Sequence, residues 1–522
     1  MYPIIQETEH YTITEQRFPM SDGVKLYTRI TIPKCAKKCP TVFIRTPYTP
    51  ASNGVPAPID PNLELPYIRS GYGVVLQHCR GTGDSEGTCI PYEERSDGLD
   101  TLALIRNLPF YNGEIYLVGQ SYLSTVHLLY MDTAPADIKG AALAIQTDRM
   151  YFRNYRGGCC YDFCNFSWWL RMMRRQFPNP KLDNALVRPY KDIMQRAVGE
   201  DVPAYTACLL NDTYTDFWKN DPRTHLMENW KIPLLLTEGW YDFYSDGMFS
   251  MWERLPEDTK AKSAFVVGPW GHATKIAKNC PYPLPDGDIP ADFAVQWFNS
   301  IRQNKPYPYA ETGKVNYYSI GGGKWDVSDF PQPAAGTKKL YFRKDHVLSD
   351  TACDRDERIA YVYDPEVRPG CFRHHGIFKA HAPNSVPGVI SFLSVPVAEE
   401  QSFYGPIHWH MDVSSDCEDT AFFIRVYLME DGESYNLTDT ITSLSHLQPN
   451  YRPNDILTLD INTPPIGFTL KKGSSIRVDI ASHSDIYVPH ANVKGHWAEV
   501  TETKIANNTL HLKDAYIALP IE

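Results

Sequence analysis

The chain has 522 residues, 43% of them hydrophobic, 13% aromatic and 22% charged, with a formal net charge of −11. That is a globular composition of about two to four domains. The acidic balance argues against nucleic acid as a partner and against a polybasic membrane patch. No run approaches the roughly 20 apolar residues of a membrane helix, and the first ten residues lack the basic and apolar regions of a secretory signal.

Thr12–Phe18 and Val24–Ile32 read as strands separated by the turn signal Ser21-Asp22-Gly23. Thr41–Ile44, Gly73–Cys79, Ile115–Gly119 and Ala141–Ile145 are compact apolar runs rich in β-branched residues. Between them, Asp97–Leu108 spaces Leu99, Leu102, Ile105 and Leu108 at helical intervals and ends before the turn pair Asn112-Gly113. This alternation predicts a largely parallel sheet covered on both faces. From about Met150 to Asn229 the sheet-type strands stop. There Trp169, Met172, Met173 and Phe177 make an apolar stripe, with Arg171, Arg174 and Arg175 on the other side.

Strands resume at Ile232–Thr237 and Ser263–Val267, so the helical stretch reads as an insertion capping a cleft. Beyond about Pro331, short β-rich runs follow one another from Leu340–Phe342 to Thr509–Lys513, which predicts an all-β sandwich of jelly-roll type. Phe422, Ile424, Val426 and Leu428 alternate with other residues, the period of a half-buried strand.

The strongest chemical signal is Leu117-Val-Gly119-Gln-Ser121-Tyr122. An apolar strand runs into Gly-x-Ser and an apolar helical run follows, the layout of a nucleophile elbow. A helix N-terminus behind the serine offers N–H groups to a developing oxyanion. The glycine usual two positions after the serine is here Leu123. A serine hydroxyl needs a base, and the base an orienting acid. Asp242 follows the apolar run 234–237, and His272 follows 265–267. The order Ser, acid, His, with each residue at a strand end, predicts that Ser121, Asp242 and His272 meet at the carboxyl edge of one sheet.

The motifs Arg45-Thr-Pro-Tyr48, His78-Cys-Arg80-Gly-Thr-Gly-Asp-Ser85-Glu-Gly87, Gly119-Gln-Ser121-Tyr122, Gly239-Trp-Tyr-Asp242 and Gly268-Pro-Trp-Gly-His272 carry a resemblance, joined by Tyr363-Asp-Pro365, Asp419–Val426 and Leu519-Pro520. Over almost its whole length the chain resembles the cocaine-esterase-like (CocE/NonD) serine hydrolases, a group that also includes X-Pro dipeptidyl-peptidases and glutaryl acylases. The resemblance implies an α/β-hydrolase domain in two parts, 1–149 and 230–330, a helical cap at 150–229 and a β jelly-roll domain at 331–522. It implies Ser121 as nucleophile, His272 as base and Asp242 as its acid. The Tyr48 hydroxyl and the Tyr122 N–H would form the oxyanion hole. Two positions depart from the family: Ser124 where a glycine is usual, and His78 where an acid is frequent.

Trp168, Trp169 and Phe243 are candidates for the substrate pocket. Eight arginines of the cap segment (149, 153, 156, 171, 174, 175, 188 and 196) read first as a solvated helix face, and otherwise as recognition of a substrate anion. Arg80–Gly87 reads as a structural loop rather than a phosphate cradle. His408 and His410 share one face of a predicted strand, but two histidines alone do not hold a metal, and they read as exposed strand residues. The twelve cysteines include no Cys-x-x-Cys pair and read as reduced cytoplasmic thiols.

The expectation is therefore a cytoplasmic serine hydrolase of small-molecule esters or amides. It needs no cofactor or metal and partners neither nucleic acid nor membrane. Its oligomeric state is open, with a homodimer as one option. The nearest rival is an X-Pro dipeptidyl-peptidase, which would need Asp162, Asp183 or Asp192 to hold a substrate ammonium. A non-catalytic binding protein is the more distant one.

Overall fold

A computed structural model describes residues 4–35, 37–48, 64–182, 185–331, 335–368 and 370–522. The first sheet is built from β1 (Ile4–Glu7), β2 (Tyr11–Pro19), β3 (Lys25–Pro33), β4 (Cys39–Thr46), β5 (Gly73–His78), β6 (Tyr111–Gln120) and β7 (Ile138–Ala144). After the helical insertion, which carries the short hairpin of β8 (Tyr155–Arg156) and β9 (Cys159–Cys160), it is completed by β10 (Leu234–Gly239), β11 (Ala264–Gly268), β12 (Val315–Ser319) and β13 (Lys324–Ser328). The spatial order is β1-β2-β3-β5-β4-β6-β7-β10-β11-β12-β13. All pairs from β5 to β12 are parallel, and antiparallel strands flank them.

The parallel strands are apolar on both faces because helices cover both. On one face Val42, Val74, Tyr116 and Val266 meet Phe298 and Trp297 of the helix Phe293–Gln303. The first helix among the described residues is α1 (Leu65–Arg69); on the other face, Phe43, Leu117, Leu236 and Phe265 meet Leu102 and Ile105 of α2 (Arg95–Arg106) and Trp252 of the helix Ser245–Arg254. The Asn112-Gly113 pair is not a turn. It lies in the exposed entry of β6, where β4 and β6 also shift register between Cys39 and Thr41.

Between β7 and β10 the chain forms short helices with a core of their own, including Tyr155, Phe166, Trp169, Tyr205 and Trp218. Among its described residues the C-terminal part is all-β apart from one short helix. Ten strands, from Gly336–Phe342 to Ala506–Ile521, form one sheet whose pairs are antiparallel except that of Val347–Ser349 with Ile390–Ser394. A single apolar core joins it to the first sheet. Tyr317 stacks on Tyr404 at 4.4 Å, and Trp240 packs against both.

The strand Ala421–Glu430 departs from the half-buried expectation, because its first eight residues are all buried. Its second face carries Phe423, Arg425 and Tyr427. That face is covered by Phe372 at 4.8 Å from Phe423, by the Arg425–Asp439 ion pair at 2.7 Å and by Arg477 over Tyr427. Alternation in sequence marks the apolar face, but it cannot show that a distant loop will cover the other.

Phe423→Ala should therefore cost ~3–5 kcal/mol, seen as a large fall in Tm. The control Val395→Ala, at a position 66% exposed, should be near neutral. A near-neutral Phe423→Ala would mean that this face is not packed.

Candidate active site

Ser121 sits between β6 and α3 (Tyr122–Leu128) with φ 56° and ψ −127°. This sparsely populated conformation is held by its surroundings. Its N–H donates to the carbonyl of Ala144 at the end of β7. Gly119 is required, because a Cβ there would lie 2.4 Å from the Leu123 carbonyl. Ser124 has its own partner: its hydroxyl lies 3.3 Å from the Ala144 carbonyl and accepts from the Ala144 N–H at 3.2 Å. The side chain in place of the usual glycine thus ties α3 to β7.

His272 joins the two other candidates. Its Nε2 is 2.9 Å from Ser121 Oγ, and its Nδ1 is 2.6 Å from Asp242 Oδ2. The second carboxylate oxygen of Asp242 accepts from the Tyr244 N–H at 2.8 Å, so the acid is fixed on both sides. Its side chain is fully buried, whereas that of His272 is 31% exposed. Asp246 is turned elsewhere and pairs with Arg156 at 2.5 Å. Glu238, also buried beside Asp242, is held well above the usual carboxylate range by burial first and by the Asp242 charge second.

Tyr48 accepts from Trp168 Nε1 at 2.8 Å, which leaves its own hydroxyl hydrogen to donate. Burial raises its pKa against the opposing effects of Trp168, Arg171 and Ser121, so it remains a neutral donor. Tyr122 supplies the first N–H of α3, which has no partner within the helix. Its hydroxyl donates to Glu94, at 2.6 Å from Oε1. His78 is buried and pushed down to about 4 by desolvation, so it is neutral. It accepts from the Asp84 N–H, inside a loop that Arg80 ties to Asp97.

A cavity of about 880 Å³ opens over Ser121, lined among others by Tyr48, Leu123, Trp168, Arg171, Phe243 and Lys275. Trp168 and Phe243 are thus at the site. Trp169 is not: it is 2% exposed and packs on Tyr205 in the core of the helical insertion.

Most of the eight arginines are not a free solvated face. Arg149 pairs with Glu228 and Arg156 with Asp246, while Arg175, Arg188 and Arg196 bond backbone carbonyls. Arg171 lies over the Tyr48 ring at 4.8 Å, with no ion pair among the described residues.

Arg153 and His375 carry no signal in the sequence. Arg153 is 2% exposed, unpaired with any carboxylate among the described residues, and sits 4.3 Å above the ring of Phe243. Phe243 in turn stacks on His272 at 4.5 Å. His375 comes from the C-terminal part, and its backbone lies where a Cβ on Gly271 would fall, 2.1 Å from the His375 carbonyl oxygen.

Residues 22–274 match the X-Pro dipeptidyl-peptidase (S15 family), and residues 309–517 match the X-Pro dipeptidyl-peptidase C-terminal non-catalytic domain. A cocaine esterase from Rhodococcus sp. (strain MB1 Bresler) is 22% identical, over 90% of this chain and 88% of its own. An α-amino acid ester hydrolase superposes with a TM-score of 0.81 at 20% identity, covering 100% of this chain and 98% of its own. An aminopeptidase from a marine sediment Thaumarchaeota archaeon gives 0.84 at 18% identity, with the same coverage of both chains. A CocE/NonD family hydrolase from Staphylococcus aureus gives 0.68 at 18%, covering 98% and 94%. The structural likenesses carry the fold, and the two family matches span most of the chain. The chain belongs to the X-Pro dipeptidyl-peptidase (S15) family and is a serine hydrolase of esters or amides.

Proposed function

We propose that the protein cleaves small-molecule esters or amides by two acyl transfers at Ser121. The supporting observation is the unbroken hydrogen-bond chain from Asp242 through His272 to Ser121, ending in the cavity. Ser121 attacks the carbonyl while His272 Nε2 takes its proton. Asp242 holds the tautomer with hydrogen on Nδ1 and stabilises the imidazolium. The Tyr48 hydroxyl and the Tyr122 N–H receive the oxyanion. His272 returns its proton to the leaving group and then activates water to release the acid. The helical insertion acts as a cap supplying Trp168 and Arg171, and the C-terminal strands are arranged as a jelly roll. All twelve cysteines are free thiols, which supports a cytoplasmic protein.

The cavity lining indicates the class of acyl group. Among the described residues it holds Arg171 and Lys275 but no carboxylate. A substrate ammonium, as an X-Pro dipeptide presents, would find no counter-ion among these described residues. Asp162 and Asp192 do not line the cavity, and Asp183 lies outside the described residues. A neutral or anionic acyl group suits it better, so dipeptidyl-peptidase activity is the second reading, favoured by the family match alone. Comparing acyl p-nitrophenyl esters with Gly-Pro and Ala-Pro anilides separates the two.

Four outcomes are expected. A fluorophosphonate probe should label the wild type but not Ser121→Ala. Asp242→Asn should lose ~10⁴ in kcat while Asp246→Asn keeps most activity, and the reverse pattern would reassign the acid. Tyr48→Phe should cost ~10²–10³ in kcat with little change in KM. An effect confined to KM would make Tyr48 a binding residue. Arg171→Gln should lower kcat/KM for esters with a carboxylate on the acyl chain by about 10–100-fold, the worth of a charged hydrogen bond, and leave neutral esters nearly unaffected. Equal losses on both would remove Arg171 from anion recognition.

A further inference from the structure

We propose that His408, His410 and Asp460 bind a zinc ion on the outer face of the C-terminal sheet. The three come from two neighbouring antiparallel strands, Gln401–Ser415 and Leu457–Leu470. In their register His410 lies opposite Asp460, and His408 lies opposite Asn462. Residues two apart on a strand point to the same face, so both imidazoles and the carboxylate stand together. Each offers one donor atom, and all three atoms lie within 4.8 Å of one another.

The proton count favours a cation. His408 Nδ1 is 3.0 Å from the amide oxygen of Asn462, which can only accept. That bond takes the single N–H of a neutral imidazole and leaves a lone pair on Nε2. Yet Nε2 lies 2.7 Å from Asp460 Oδ1, itself only an acceptor. His410 Nδ1 is 3.3 Å from the same oxygen. Two imidazoles thus converge on one carboxylate oxygen, and a cation seated among the three groups would resolve the contact.

Two imidazole nitrogens and a carboxylate oxygen are the ligand types zinc takes, at about 2.0–2.2 Å. Around a tetrahedral ion such ligands stand roughly 3.3 Å apart. The His410 contact already has that spacing. The His408 contact must open by about 0.6 Å to reach that spacing, which the 62% exposed Asp460 side chain is free to do. The fourth position faces solvent, where water completes the shell. Asn462 acts as the outer partner that fixes the His408 tautomer. On the other side of His410, Tyr516 stacks on its ring at 5.0 Å and holds the Lys339 ammonium over its own ring, at 3.9 Å. Asp460 is 50 residues from His410 in sequence, so strand pairing alone supplies the third ligand that the two histidines lack. Bound there, the ion would staple two long paired strands of the sheet.

Titration calorimetry with zinc chloride on chelator-treated protein tests this, beside melting scans with and without the metal. Wild type should bind one more equivalent than His408→Ala/His410→Ala or Asp460→Asn, and zinc should raise its Tm but not theirs. Asn462→Ala should bind about 10–100-fold more weakly. The metal-free Tm of each variant, expected close to wild type because these side chains are part-exposed, shows that the fold is intact. Equal zinc stoichiometry and affinity in wild type and in the folded histidine double variant would overturn the proposal.

Discussion

The site depends on one geometric constraint: a histidine from β11 has to reach a serine at the end of β6. Those strands are separated by β7 and β10, so their ends lie roughly 14 Å apart at the usual strand spacing. The loop after β11 closes that gap by folding back across β10. Trp240 N–H donates to the Gly268 carbonyl, and Tyr241 N–H donates to that of Trp270. The approach is so close that a Cβ on Gly239 would lie 2.3 Å from the Trp270 carbonyl oxygen. The glycines at 239 and 271 are therefore conditions for His272 to arrive between Asp242 and Ser121.

The far side of that loop rests on the C-terminal part of the chain. His375 backs Gly271, and its Nε2 lies 3.4 Å from the Tyr161 hydroxyl of the helical insertion. The three parts of the chain thus meet within one residue of His272. The C-terminal sheet can serve as a rigid support because its buried charges are paired. Arg477 and Asp479, both fully buried, bond at 2.8 Å, and Arg425 bonds Asp439. Removing one partner of such a pair leaves an uncompensated buried charge, which is far costlier than the intact pair.

Arg153 is the exception to that pairing. It is buried without a carboxylate, and its Nε and Nη1 have no hydrogen-bond partner. The rings of Phe243 and Tyr161, at 4.3 and 5.0 Å, take the place of the anion. A desolvated cation–π contact is worth up to about 2 kcal/mol or more, which offsets part of the burial. Through Phe243 this stack sets the plane of the His272 ring, so an arginine of the helical insertion becomes part of the support of the site.

The sequence by itself determined the alternating parallel sheet, the helical insertion and the β-rich end, because hydrophobic period and turn residues are local properties. It also set the order of Ser121, Asp242 and His272 at three strand ends, since a sharp Gly-x-Ser turn and short post-strand loops are written in adjacent residues. What it could not decide were contacts between segments far apart in the chain. The second buried face of Ala421–Glu430 depends on Phe372. The burial of Trp169 and the exposure of Trp168 to the cavity depend on how their helix is rotated. Arg153 reads as one more surface arginine until three aromatic rings close around it. The meeting of Asp460 with His408 and His410 follows from strand register, which is set across the sheet rather than along the chain. In each case the deciding energy belongs to packing and desolvation between elements, and only the tertiary structure brings those elements together.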